Sequence, residues 1–89
     1  MNLDDVIFIN NLPTLDLHGV SREIGRVFVN DFIADNKFLK NDLVVIIHGF
    51  GSGILKTMVR KTLQENHNVL FFKTHFNNAG CTIVKIKIP

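Results

Sequence analysis

LVVIIHGFGSG, residues 43–53, passes from an unbroken apolar run into three glycines within five residues. A β-branched run of this kind predicts a strand buried on both faces, as in a parallel sheet. The glycines predict a tight turn, and beyond them the apolar period changes. Leu55, Met58, Val59, Thr62 and Leu63 recur at helical spacing, so a helix ending near Asn66 should follow. Strand, turn and helix in succession are the first part of a βαβ crossover.

Upstream, LDLHGVS at 15–21 repeats the theme of an apolar segment ending in His-Gly. Pro13 precedes a short expected strand over 14–17. Ser21 is a good helix N-cap, and Glu23 in the first turn suits the helix dipole. Ile24, Val27, Phe28, Phe32 and Ile33 then form one stripe, which predicts a helix over about 22–36 with that stripe toward the core. Gly25 inside it costs about 1 kcal/mol against alanine and marks a close approach to a neighbouring element.

Downstream, VLFFKT at 69–74 reads as a third strand, NNAG at 77–80 as a turn, and CTIVKIKI at 81–88 as a fourth strand. In the last, Thr82, Val84, Ile86 and Ile88 alternate with Lys85 and Lys87, the pattern of a strand with one wet face. Phe28, Phe32, Phe71 and Phe72 are expected in the core, and Cys81 as a small buried hydrophobe. His67 and His75 are expected at the surface. The sequence therefore predicts an α/β fold: a two-layer sandwich, β-α-β-α-β-β, with a mixed four-stranded sheet. The first three strands should run parallel and the last antiparallel to the third. Residues 14–89 form the expected domain. Residues 1–13 are an N-terminal extension whose VIFI segment (6–9) is a candidate extra strand.

The chain has 89 residues, which suits one domain, and 46% of them are hydrophobic, as expected of a folded globule. Its apolar runs are far shorter than the roughly 20 residues of a membrane helix, and MNLDDV has acids where a secretory signal carries positive charge. The single cysteine excludes an internal disulfide framework, so a cytoplasmic location is expected. Charge is unevenly spread. Residues 1–50 hold four basic and seven acidic side chains, whereas residues 51–89 hold six basic and one acidic. Such asymmetry points to an anionic partner, nucleic acid first.

In an open α/β sheet, ligands bind beyond the carboxyl ends of the strands, where His18 and His48 both fall. If those strands are neighbours, the two imidazoles could face one pocket. Asp16 lies two residues before His18, on the same face of an extended strand, where its carboxylate could orient the ring. Imidazole near neutral pH is a natural general acid or base. Gly49, Gly51 and Gly53 precede a helix N-terminus, and Lys56 and Arg60 stand in its first two turns. Together they outline a phosphate cradle, although the Gly-Lys-Ser/Thr ending of a P-loop is absent. Phe50 in the turn could stack on a base.

LDLHG, the segment IIHGFGSGILKTMVRKTLQENHNVLFF and the final GCTIVKI together resemble the Smr (small MutS-related) domain family over residues 14–88. That family has an LDLHG motif, an HGxG or TGxG motif and a glycine-bearing last strand, on a two-layer β-α-β-α-β-β fold. The resemblance implies nucleic-acid binding or endonuclease activity, some members cutting messenger RNA on ribosomes. It carries over to Asp16 and His18, and to His48, Gly49 and Gly51. The family often has lysine where Phe50 stands, arginine where Lys56 stands, and a glycine-richer loop than NNAG.

The resulting expectation is a nuclease cleaving RNA or DNA phosphodiesters. Asp16, His18 and His48 would be catalytic. Gly49, Phe50, Gly51, Gly53, Lys56 and Arg60 would hold the nucleic acid. RNA could supply its own 2′-hydroxyl as nucleophile, whereas water attack on DNA favours a divalent ion. No metal site is assigned, since one carboxylate and two imidazoles make a thin ligand set. The alternative is a non-catalytic module that binds nucleic acid or a ribosome-associated partner.

Overall fold

The computed structural model describes residues 11–89; the candidate strand at 6–9 lies outside them. The element order is β1 (Thr14–Asp16), α1 (Arg22–Phe38), β2 (Leu43–Ile47), α2 (Ile54–Glu65), β3 (Val69–His75) and β4 (Asn78–Ile86). The four strands form one sheet in the order β1-β2-β4-β3. β1 pairs parallel with β2, and β4 pairs antiparallel with both β2 and β3. The first three strands thus share a direction. The crossover through α2 leaves a gap in the sheet, and the β3–β4 hairpin fills it by folding β4 back between β2 and β3.

Both helices cover one face. Val29 and Ile33 of α1 and Met58, Val59 and Leu63 of α2 pack on Val44, Ile46, Val84 and Ile86 of the central strands. Burying each such side chain contributes about 1.5–3 kcal/mol. The α1 stripe is rotated from the expected one. Its buried positions are Gly25, Val29, Ile33 and Asn36, while Ile24, Val27 and Phe28 are exposed. The rotation is set by Gly25. A Cβ there would lie 2.8 Å from Met58 Cε, so α1 turns its one side-chain-free position toward α2. Apolar count alone does not register that contact.

The hairpin also differs from expectation. Its turn is Phe76–Asn77, and Asn78, Ala79 and Gly80 already belong to β4. β4 buries Cys81 and Ile83 as well as Thr82, Val84 and Ile86. The expected wet side is therefore confined to Lys85 and Lys87, with Lys85 paired to Asp42. β3 lies at the edge, which leaves Phe71 exposed. Phe32 and Phe72 do pack on the core. His75 is buried rather than at the surface. Its Nδ1 accepts the Asn77 N–H at 3.2 Å, and its Nε2 has no hydrogen-bond partner.

Candidate functional site

Both His-Gly segments lie at the carboxyl ends of neighbouring strands. The Leu17 N–H donates to the Ile47 carbonyl at 2.9 Å, which ties the first corner beside the second. The pleat then sends their side chains apart. The register aligns Asp16 with Ile47 and Ile47 with Cys81. That row faces away from the helices, because the alternate row of Ile46 belongs to the helix-covered core. Burial first, and the Asp16 carboxylate second, push the Cys81 thiol up, as expected of neighbours in one row.

At the first corner, β1 stops at Asp16, and Asp16 Oδ1 accepts the His18 backbone N–H at 2.9 Å. The Val20 N–H donates to the Leu17 carbonyl at 3.1 Å, closing a turn. Gly19 takes φ 73° at that turn, a region that favours glycine. The carboxylate therefore fixes the backbone of the corner rather than the ring of His18. His18 itself is exposed, and its ring makes no hydrogen bond to a described residue. Helix α1 then begins with its N-terminus satisfied. Ser21 Oγ accepts the Ile24 N–H at 3.3 Å, and Glu23 sits in the first turn.

The second corner is built differently. His48 continues the helix-facing row of β2 and is only 7% exposed. Its Nδ1 lies 3.1 Å from the Gly49 carbonyl and its Nε2 lies 2.8 Å from Thr82 Oγ1. A carbonyl only accepts, so Nδ1 carries the proton and Nε2 accepts from the Thr82 hydroxyl. Burial holds the imidazole below its ordinary pKa against the opposing Gly49 hydrogen bond, and the charges of Lys56 and Arg60 push the same way. His48 is a neutral ring with both nitrogens occupied. The backbone N–H groups of His48 and Gly49 both donate to the Gly80 carbonyl, at 2.9 and 3.0 Å.

Beyond His48 the chain opens into a turn in which Ser52 Oγ accepts the Ile54 N–H at 3.4 Å, while the N-cap residue of α2 has no side chain to add a second cap. The N-cap position is Gly53 at φ 85°, and no acidic residue stands in the first turn. Past Ile54, the remaining first-turn N–H groups have no intrahelical partner, and the helix end carries partial positive charge. A cavity of about 190 Å³ lies against it, lined by His48, Gly49, Gly51, Gly53 and Lys56 among others. Arg60 stands one turn further on with its guanidinium 5.8 Å from the Phe72 ring centroid.

The structure thus joins His48, the three glycines and Lys56 in one pocket. Asp16, His18, Phe50 and Arg60 do not line it. Phe50 is exposed, and its ring reaches over Gly80, where a Cβ would come within 3.1 Å of Phe50 Cε2. Thr82 and Gly80 are the site residues that sequence reasoning missed. Their signal was the GCT at the start of the last motif, a glycine and a hydroxyl at the entry to an apolar strand. Among the described residues, no three His, Cys, Asp or Glu side chains gather as a metal-ligand group. No helix among them is long and apolar enough to cross a membrane.

The family model of the Smr domain matches residues 15–87. The chain belongs to the Smr domain family. Among curated proteins, this Smr domain is 32% identical over 80 residues to endonuclease MutS2 of Aquifex aeolicus, covering 86% of the chain and 10% of that protein. It is 38% identical over 77 residues to endonuclease MutS2 of Streptococcus suis, covering 82% and 10%. The chain therefore spans about a tenth of the length of those relatives. Among solved structures, the Smr domain of Thermus thermophilus MutS2 has the same fold, with a TM-score of 0.81 at 22% identity over 84% of this chain and 98% of that one. YdaL, a stand-alone small MutS-related protein of Escherichia coli, superposes with a TM-score of 0.78 at 25% identity over 83% and 63%.

Proposed function

We propose that this Smr domain binds nucleic acid at the carboxyl ends of β1 and β2 and cleaves its phosphodiester backbone. The observation that carries the reading is the N-terminus of α2, whose N-cap position is a glycine with no side chain to cap it. It is wrapped by glycines, flanked by Lys56, and free of any first-turn acid. Such an end accepts a phosphate oxygen through backbone N–H groups. His48 is a positioning residue in this scheme. Locked between the Gly49 carbonyl and Thr82, it holds the turn open, and as a neutral ring it has no proton to give at Nε2. His18 is the general base. On RNA it takes the proton of the ribose 2′-hydroxyl, the 2′-oxygen attacks phosphorus, and the 5′-oxygen leaves with a proton from water. On DNA the proton comes from an attacking water instead. Asp16 fixes the corner that presents His18. The relatives named as MutS2 endonucleases support the same reaction class.

A second reading, a binding module without chemistry, is favoured by one observation. The Asp16 carboxylate is hydrogen-bonded to the backbone of His18 and not to its ring, so no carboxylate–imidazole pair is assembled. A ribosome-associated RNA would be a fitting partner for such a module.

The test uses labelled single-stranded RNA and supercoiled DNA, with and without EDTA, on wild type and on Asp16→Ala, His18→Ala and His48→Ala. Cleavage by wild type that is lost in His18→Ala is the expected result. Cleavage surviving all three substitutions contradicts the catalytic assignment. Salt-sensitive binding without cleavage is the second reading, and no binding at low salt contradicts both.

A further inference from the structure

A larger cavity, of about 660 Å³, lies between α1 and α2, and neither His18 nor His48 lines it. Its floor is apolar and includes Met58, whose Sδ accepts the Thr62 hydroxyl at 3.5 Å. Its rim carries Arg22, Arg26 and Lys61. Arg22 is paired with Glu23 at 3.3 Å. Arg26 and Lys61 are exposed and form no salt bridge among the described residues. Among the described residues, the other acid on the cleft is Glu65, at the last residue of α2, the far end of the groove from residues 52–54.

This cleft is continuous with the smaller pocket. Ser52, Gly53 and Ile54 line both. The turn that offers backbone N–H groups to a phosphate on one side therefore forms the wall of the cleft on the other. Because β1 and β2 run parallel, α1 and α2 both start at the same end of the sheet, which brings Arg22 and Arg26 to the α2 N-terminus. An apolar floor under a cationic rim suits a base or ribose lying against Met58 and Ile54 with its phosphate toward Arg26 and Lys61.

We propose that the α1–α2 cleft is a second nucleotide subsite. A single strand held at the α2 N-terminus crosses the 52–54 turn and places its next phosphates between Arg26 and Lys61. The inference rests on the reading of the α2 N-terminus as a phosphate site and assigns the path of the strand beyond it. Glu65 repels the backbone at the far end, so the track is short and enters from the glycine turn.

The test compares two single-stranded oligonucleotides, one of about three nucleotides and one of about twelve, the longer within the range one small domain covers. Wild type, Arg26→Glu/Lys61→Glu and the milder Arg26→Ala/Lys61→Ala are compared at several salt concentrations, with thermal melts as a folding check. The long strand is expected to bind the alanine variant about tenfold more weakly than wild type. Its log–log salt slope should be smaller by about 1.4, the share of two phosphates on a single strand. The short strand should bind all three proteins alike. Unchanged long-strand affinity and slope in the folded variants, or equal losses for both lengths, would overturn the subsite. Those results would leave the α2 site standing, whereas failure of wild type to bind either strand would overturn both.

Discussion

Both His-Gly corners put glycine in the left-handed region, at φ 73° for Gly19 and 80° for Gly49, yet they leave their imidazoles and their helices in opposite states. At the first corner the ring is exposed, the carboxylate is spent on the backbone, and Ser21 and Glu23 satisfy the helix that follows. At the second the ring is buried and saturated, and the helix that follows has a glycine at its N-cap and no acid in its first turn. Near-identical dipeptides at adjacent strand ends thus divide the work. One leaves an exposed imidazole, the base of the proposed reaction, and the other a glycine-wrapped helix N-terminus, its proposed anion site. The pleat decides which is which, because Asp16 belongs to the row facing away from the helices and His48 to the row facing them.

The largest expected effect breaks the comparison at its chemical end. His18→Ala should lower the cleavage rate about 10²–10⁴-fold, the usual worth of a general base, and leave nucleic-acid affinity little changed in a gel-shift titration. Next comes the saturated ring. Thr82→Val removes the donor to His48 Nε2 inside the fold, and urea melts should show a loss of about 1–3 kcal/mol, the cost of an unsatisfied buried acceptor. The cap at the first corner is worth less, and Ser21→Ala should cost about 1 kcal/mol.

A smaller effect has opposite signs on two readouts. Lys56→Glu places an acid in the first turn of α2, and interaction with the dipole should raise stability by about 0.3–1 kcal/mol at low salt. The same change should weaken nucleic-acid binding, because the acid occupies the role proposed for phosphate. Loss of both stability and binding would mean that Lys56 supports the fold instead.

The smallest effect is in pH. Histidine titrates near 6.5 in an unfolded chain, and burial sets His48 lower in the fold. Between those values the unfolded chain binds more protons, so stability falls as pH drops from about 6.5 through the lowered folded value. Above 6.5 both states are neutral and His48 contributes no slope. His48→Gln should flatten this acid-side decline in melts across that range.

Much of this was legible in the sequence because it rests on local rules. The β-branched run of β2, the Ser21 cap, the stripe of α2 and the paired His-Gly corners each follow from residues a few positions apart. What was not legible depends on partners distant in sequence. The α1 stripe is set by Gly25 meeting Met58, and that contact turns Val27 and Phe28 outward. The state of His48 depends on Thr82, 34 residues away, and the sheet pleat, not the spacing of Asp16 and His18, decides where that carboxylate points.

The most direct test of the division between the corners is an amide chemical-shift titration. A single-stranded oligonucleotide is added to isotopically labelled protein under conditions that prevent cleavage, such as a 2′-deoxy strand in EDTA. With a strand of about three nucleotides, too short to enter the α1–α2 cleft, the largest shifts are predicted at residues 49–56, where the α2 N–H groups meet phosphate, and small ones at 21–24, where Ser21 and Glu23 already serve α1. Shifts concentrated at 21–24, with 49–56 unmoved, would contradict that division.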